Sequence, residues 1–241
     1  MKAVILIPTY NEAENIIPLV REIFDLARDL SVVVIDDNSP DGTGALVRKA
    51  MAEFPRLSIL ARPNKSGLAD AYHAGFRHAI LETKAEFVIT MDADFSHHPR
   101  YLPDLLLAAE TADMAVGSRY VPEGGVKNWS LWRRLLSYFG NLYARFVTGV
   151  PVRDLTAGFS VIRLSMLKEL ALEQLSSEGY AWLIELKSAM HALNARIVEI
   201  PIIFEERRSG ASKISRSIIT EGLVAPWRLR LRYRKARRIS S

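Results

Sequence analysis

Two aspartates stand one residue apart in Met91-Asp92-Ala93-Asp94, directly after the apolar run Phe87-Val-Ile-Thr. In an extended segment an i, i+2 pair projects to one side, so both carboxylates can reach one cation. Hard carboxylate oxygens, in a chain with no cysteine and only five histidines, favour Mg2+ or Mn2+ over zinc. Mg2+ typically takes one or two carboxylates and completes its shell with substrate phosphates. A second acidic cluster, Asp36-Asp37-Asn38-Ser39-Pro40-Asp41, closes another apolar run. An aspartate there can accept hydrogen bonds from a ribose or a base, while Asp41 or Ser39 is placed to cap the next helix. One of the adjacent acids is therefore expected to be structural. Arg207-Arg208-Ser-Gly-Ala-Ser-Lys213 sets cations around a small-residue turn, which suits phosphate oxygens. His97 and His98 are adjacent and so poorly placed to share an ion; capping or packing next to Pro99 is expected of them. The chain has no G-x-G-x-x-G, Walker or G-x-S-x-G sequence, so a dinucleotide site, a P-loop and a serine hydrolase elbow lack support.

The elements that must position these residues alternate. Strand-like runs fall at Ala3–Ile7, Ser31–Ile35, Leu57–Leu60, Glu86–Met91 and Asp113–Gly117. Helical periodicity falls near Ala13–Leu30, Gly42–Phe54, Leu68–Glu82 and Tyr101–Thr111. The pattern predicts an α/β fold, a mostly parallel, doubly wound sheet with helices on both faces in a single domain. Beyond Tyr120 it predicts a loop at Pro122–Gly125, an amphipathic helix over Trp132–Val147, one strand over Arg196–Phe204 and a last helix from about Ser215. Ligands of open α/β sheets bind outside the carboxyl ends of the strands. Pro8-Thr-Tyr-Asn-Glu12, Asp36–Asp41, Asp92–Asp94 and Gly117-Ser-Arg119 all fall at such ends. Acidic groups gathered there repel unless a cation compensates them.

At 241 residues, 49% hydrophobic and 24% charged, the chain can bury one sizeable core, which excludes intrinsic disorder. With no cysteine, disulfide scaffolds, thiolate zinc sites and thiol catalysis are excluded, and a reducing, cytosolic setting is the expectation. No apolar run reaches the ~18 residues of a membrane span, and the opening run reads as a strand instead of a signal peptide. The net charge of +5 is uneven: residues 207–241 hold eleven Lys/Arg and one acid, leaving residues 1–206 at −5. Polyanionic partners are implied for that segment. Nothing interleaves aromatics and cations as an RNA-binding sheet does, so a nucleotide- or RNA-binding protein is the weaker alternative and no nucleic-acid partner is expected. The division predicted is a globular domain over 1–213 and a basic amphipathic segment over 214–241, interrupted or kinked at Pro226, whose composition suits an anionic membrane surface. Trp129–Arg145, with Trp132, Tyr138, Phe139 and Arg133, has a composition that suits an interfacial helix or one packed on the sheet.

Seven blocks in order resemble the family 2 glycosyltransferases, and among them the dolichyl-phosphate (polyprenyl-phosphate) mannose synthases: Ile7-Pro-Thr-Tyr-Asn-Glu12, Val34–Thr43, Gly67-Leu68, Met91–Pro99, Gly117-Ser-Arg-Tyr120, Asp154-Leu-Thr-Ala-Gly-Phe159 and Ser209–Lys213. The resemblance covers residues 3–220. It implies a GT-A fold and inverting transfer of mannose from GDP-mannose to a dolichyl or polyprenyl phosphate, with Mg2+ or Mn2+. By position it implies a nucleoside pocket of Pro8, Tyr10, Glu12, Ile35 and Asp37. Asp92, Ala93 and Asp94 are implied as the diphosphate–metal motif, and Arg207 and Lys213 as cations over the pyrophosphate. Arg119, Arg133 and Ser137 are implied as the receiver of the acceptor phosphate, with Asp94, Arg119 and Arg133 central to catalysis. Ser96 stands where some relatives have Gln near the metal, which makes it the weakest of the three metal candidates. The resemblance also implies peripheral attachment to the cytoplasmic face of a membrane, alone or through a membrane-anchoring subunit. Transfer of glucose or another sugar from a UDP-sugar is the alternative, since residue chemistry does not choose between the donors.

Overall fold

A computed structural model describes residues 2–26, 29–205 and 216–239. The chain runs β1 (Ala3–Thr9), α1 (Ile16–Leu26), β2 (Leu30–Asp36), α2 (Thr43–Ala50), β3 (Leu57–Ala61), α3 (Leu68–Glu82), β4 (Phe87–Thr90), α4 (Leu102–Glu110) and β5 (Met114–Ser118). It continues through β6 (Gly125–Lys127), α5 (Leu131–Thr148), β7 (Ser160–Arg163), α6 (Leu164–Glu169), α7 (Gly179–Ala192), β8 (Ile197–Pro201), β9 (Ile203–Glu205) and α8 (Arg216–Ile239). The main sheet has the order β3-β2-β1-β4-β7-β5-β8 and is parallel except for β7. Strand order reverses between β1 and β4, and the crevice at that switch point holds the segments after both strands.

Alternation along each strand divides the core. Ile5, Ile7, Val32 and Val34 pack under α1, α2 and α4, whereas Val4, Leu6, Val33 and Ile35 pack under α3, α6 and α7. Strands buried on both faces read as continuous apolar runs, which is why the parallel strands are visible in the sequence. On the second face Tyr72 of α3 stacks on Trp182 of α7 at 5.1 Å between ring centroids, and Phe76 lies 5.9 Å from the same indole. A third cluster joins Ala144 of α5, Ile184 of α7 and Leu229 of α8, so the basic C-terminal helix is packed on the rest of the fold.

Several boundaries differ from the sequence reading. Helix α1 is described from Ile16 to Leu26, and Leu30, expected as its end, instead begins β2. The strand expected over Arg196–Phe204 is two: at Ile202 the chain leaves β5 and pairs with β6, Ile202 N–H donating to Ser118 O and Ile202 O accepting from Gly125 N–H. The end of the expected loop at Pro122–Gly125 thereby enters strand β6. Strand β7 and helices α6 and α7 were not legible, and α8 continues through Pro226 instead of breaking there.

Gly75 on α3 has no room for a side chain, since a Cβ would sit 2.6 Å from Ile35 Cδ1 and 2.9 Å from Leu6 Cδ1. Gly75→Val is expected to destabilise by about 1–3 kcal/mol through overpacking. Gly140→Ala, where nothing lies within 4 Å, is expected to be neutral or to stabilise by up to about 1 kcal/mol. Urea denaturation of both variants checks the pair.

Candidate active site

The loop after β1 is clasped by the loop after β2. Asn11, Glu12 and Ala13 donate backbone N–H groups to Ser39 Oγ (3.1 Å), Thr43 Oγ1 (3.0 Å) and Asp41 Oδ2 (3.0 Å). Asp41 also accepts from Thr43 N–H at 3.0 Å and Thr43 Oγ1 at 2.6 Å, the capping role expected of it. Of the adjacent acids, Asp36 is the structural one: it accepts from Ser39 Oγ at 2.6 Å and Thr9 Oγ1 at 3.3 Å. Asp37 is buried beside Arg62, with Oδ1 3.0 Å from Nη1 in an approach not aligned as a hydrogen bond. Burial pushes the Asp37 carboxyl above its ordinary range, against the pull of Arg62. Tyr10 is exposed, with Lys65 Nζ 3.9 Å over its ring.

Beyond β4 the chain does not stay extended. It bends through Ala93–His97, with Phe95 at φ 63°, and Asp92 and Asp94 face one cleft through this bend and not through strand alternation. Asp94 is buried; its Oδ1 accepts from Ser96 N–H at 3.1 Å and Ser96 Oγ at 2.5 Å. Ser96 therefore orients Asp94. His97 is buried, stacked 5.1 Å from Phe159, and its Nδ1 accepts the Asp92 N–H at 2.9 Å. That bond leaves Nδ1 unprotonated, so His97 packs and braces the turn. His98 Nδ1 accepts from Arg100 N–H at 3.4 Å and caps the short helical turn at Pro99, as expected.

Arg119, at the end of β5, is held by Asp154. Nε and Nη2 donate to Oδ2 and Oδ1 at 2.7 and 2.6 Å, and the Arg119 N–H donates to Oδ2 at 3.0 Å. Asp154 is fully buried. Burial would raise its carboxyl, but Arg119 overrides this and holds it below the usual carboxylate range; burial would lower Arg119, and Asp154 raises it. Nη2 also reaches Thr156 Oγ1 at 2.8 Å, which Asn141 Nδ2 approaches at 3.0 Å. Nη1 makes no hydrogen bond among the described residues, so two charged N–H groups are left for a ligand anion. The Trp129 ring meets both arginines, 5.6 Å from Arg119 Cζ and 4.1 Å from Arg133 Cζ. Ser137 Oγ accepts from Tyr120 O–H at 2.7 Å.

These pieces border a single cleft of about 770 Å3. Pro8, Glu12, Asp92, Ala93, Asp94 and Ser96 line one end; Arg119, Arg133 and Ser137 follow; Phe139, Tyr143, Leu183 and Leu223 line an apolar extension between α5, α7 and α8. Three residues expected in the nucleoside pocket are not on its wall. Tyr10 is exposed, Asp37 is beside Arg62, and the Ile35 side chain is wholly in the core, while its carbonyl accepts from Thr9 Oγ1 at 3.2 Å. Arg207 and Lys213 lie outside the described residues. Among the described residues no three His, Cys, Asp or Glu side chains form a metal cage. Two hard carboxylates on a cleft wall fit a divalent ion whose remaining shell comes from phosphates.

Sequence reasoning assigned no role to Asp154, Thr156, Asn141, Trp129 or Lys187. Lys187 is wholly buried in α7, its Nζ donating to Ala157 O at 2.7 Å. The available signal was Glu185 and Lys187 inside the otherwise apolar Trp182–Met190.

The family model for glycosyl transferase family 2 matches residues 4–171. The chain belongs to this family. It is 41% identical over 224 residues to the undecaprenyl-phosphate mannosyltransferase of Micrococcus luteus, across 93% of this chain and 92% of that protein. It is 42% identical over 241 residues to the polyprenol monophosphomannose synthase of Mycolicibacterium smegmatis, across 98% and 90%. In fold this family member is similar to glucosyl-3-phosphoglycerate synthase of Mycobacterium tuberculosis, solved with Mn2+ and UDP-glucose (TM-score 0.64, 18% identity, 92% of this chain and 75% of that one). It is also similar to a Pyrobaculum calidifontis mannosyltransferase solved with GDP-Man and Mn2+ (TM-score 0.57, 20% identity, 98% and 72%). The fold expected from the strand pattern and the blocks is the one found.

Burial, chiefly, pushes Lys187 down from 10.5 to about 8, with Arg119 acting the same way and Asp154 and Glu199 opposing. Between those values the unfolded chain holds this proton and the folded chain does not, so stability rises with pH. From pH 8 to 10 the unfolding free energy is expected to gain about 2 kcal/mol relative to Lys187→Met. Urea titrations at both pH values check this; parallel behaviour of the two proteins overturns it.

Proposed function

We propose that this glycosyltransferase moves mannose from GDP-mannose to a polyprenyl phosphate of the dolichyl or undecaprenyl class, with inversion. The observation that carries the reading is the polarity of the cleft: carboxylates at one end, two arginines beside Ser137, then an apolar extension suited to a lipid tail. The names and 41–42% identities of the two mannosyltransferase relatives support the same donor sugar and acceptor class. No observation favours the UDP-sugar alternative or a nucleic-acid partner.

The reaction is a displacement at the anomeric carbon. A phosphate oxygen of the acceptor forms the new bond to carbon, the bond from that carbon to the β-phosphate oxygen breaks, and GDP leaves with the electron pair. A phosphate monoester has a second pKa of ~6, so the nucleophile is already ionised at neutral pH and needs no base. The bracing role of His97 is consistent with that economy. Arg119, through Nη1, and Arg133 bind and orient the acceptor phosphate, and Ser137 adds a hydroxyl. Asp94, oriented by Ser96, and Asp92 would hold Mg2+ or Mn2+, which when bound neutralises charge on the departing diphosphate. In this reading Pro8 and Glu12 serve the nucleoside end from the cleft wall, with Tyr10 and Asp37 beyond it, and the charges of Arg207 and Lys213 are assigned to the pyrophosphate by the family resemblance alone. The reading places the chain peripherally on the cytoplasmic face of a membrane, where its acceptor is anchored; among the described residues no helix is long and apolar enough to cross one.

Incubation of the full chain with radiolabelled GDP-mannose, UDP-glucose and UDP-galactose and a short-chain polyprenyl phosphate tests the proposal. Label is expected in the lipid fraction from GDP-mannose only, and transfer is expected to stop with EDTA and return with Mg2+ or Mn2+. Asp94→Asn is expected to lose about 10²–10³-fold in turnover, the scale of several kcal/mol of charge stabilisation. Near-normal turnover of that variant would remove Asp94 from the metal site.

A further inference from the structure

His97 has one nitrogen to spare. Its Nδ1 accepts the Asp92 N–H, so the ring carries its proton on Nε2. Among the described residues that N–H has no partner, yet it is not sealed from solvent, and the ring, 3% exposed, borders the cleft. The ring is held in place: Phe159 stacks on it with 16° between the planes, and Phe204 meets it edge-on at 5.7 Å. Gly158 makes the room in front of it. A Cβ at this position would stand 3.2 Å from His97 Cε1, 3.9 Å from Nε2 and 3.8 Å from Asp92 Oδ1. Gly158 does not have a positive φ, so its missing side chain serves space and not backbone conformation. Thr90 Oγ1 fixes the segment by donating to Gly158 O at 2.6 Å. Strand pairing locates the notch. Ser160 of β7 lies opposite Thr90 of β4 on one side and Val116 of β5 on the other. Because β7 is antiparallel to both, counting back to Gly158 brings it level with Asp92 and Ser118, between the carboxylates and Arg119.

We propose that the notch over Gly158 seats the transferred sugar, and that His97 Nε2–H donates to one of its hydroxyls. This rests on the function proposed above and adds to it a residue that reads the sugar. A hydroxyl fits the notch because it can accept from Nε2–H while donating to Asp92 Oδ1. A phosphate oxygen in the same place would face the carboxylate, and a methylene would leave the N–H unpaired. His97 thereby discriminates among donors, since a sugar without that hydroxyl leaves a fixed N–H with no acceptor. The same ring serves two ends: Nδ1 braces the turn that carries the carboxylates, and Nε2 meets the ligand.

Turnover of the full chain with GDP-mannose and its 2-, 3-, 4- and 6-deoxy analogues, in Mn2+ with a short-chain polyprenyl phosphate, tests the contact. The unsubstituted chain is expected to lose about tenfold in kcat/KM with one analogue, the scale of one neutral hydrogen bond. In His97→Asn the amide oxygen can stand near the place of Nδ1, which keeps an acceptor for the Asp92 N–H and removes the outer donor. This variant is expected to lose about tenfold with GDP-mannose and nothing further with that one analogue, while binding GDP and Mn2+ normally in calorimetry. Gly158→Ala, which fills the notch, is expected to show the same pattern. A role confined to bracing scales all five donors down alike; that result overturns the proposal, as does a loss of GDP affinity as large as the loss of turnover. Failure of the unsubstituted chain to transfer mannose overturns the donor reading and the sugar seat with it. Mannose transfer with discrimination unchanged in both variants overturns the seat alone.

Discussion

Asp154 is out of contact with water, and both of its oxygens are committed to Arg119. Placing two charges in the interior costs several kcal/mol per ion before their attraction repays it. The arrangement is better understood through what it positions than through net stability. Arg119 comes from the end of β5 and Asp154 from the segment before β7. Thr156 and Asn141 extend the bonds to α5, and Glu199 of β8 accepts from the Arg153 and Asp154 N–H groups at 2.8 and 2.9 Å. Removing either member would leave a buried charge unpaired and release four elements that meet at the centre of the cleft.

Around that pair the cleft is graded. Carboxylates at the β1–β4 switch point suit a cation and its phosphates, the guanidinium groups in the middle suit a second anion, and the α5–α8 walls suit hydrocarbon. The charged groups are braced by their neighbours: the Trp129 ring touches both Arg119 and Arg133, and Ser96 donates twice to Asp94 within the bend at Ala93–His97. A second ion pair, its carboxylate buried and its arginine open to solvent, serves the outer wall. Glu185, with no exposure, accepts from Ser177 N–H at 2.7 Å and from Arg232 Nη1 at 2.5 Å, which fixes α8 against α7.

The parallel half of the fold was legible because strands buried on both faces leave unbroken apolar runs, and Leu68–Glu82 was found at its true limits. Strand β7 was not legible. At four residues, Ser160–Arg163, it is too short to show a period, and its antiparallel direction breaks the βα rhythm on which the reading relied. The pairing switch at Ile202 leaves no local mark, since Ile200-Pro-Ile-Ile203 reads as one apolar run. In the site, the acidic clusters and Arg119 were visible as polar residues at strand ends. Their partners were not: Asp154 lies thirty-five residues from Arg119, and a lysine in an apolar run has no meaning until the fold supplies the Ala157 carbonyl. At Ile35 strand alternation directs the side chain into the core, so any part it has in the nucleoside end is left to its backbone.

Strand β7 also acts as a ruler. Neighbouring strands in a sheet lie about 4.8 Å apart, so inserting one between β4 and β5 sets their carboxyl ends about 10 Å apart. The carboxylates follow one of those strands and Arg119 ends the other. Were β4 and β5 direct neighbours, anionic groups held at the two ends would meet near 5 Å, where two unit charges at an effective dielectric constant of about 20 repel by about 3 kcal/mol; at 10 Å the figure is about half. Under the proposed function the extra strand would leave a gap one sugar ring wide between two phosphates. On that reading the spacing between leaving group and nucleophile is counted in strands before any side chain is chosen.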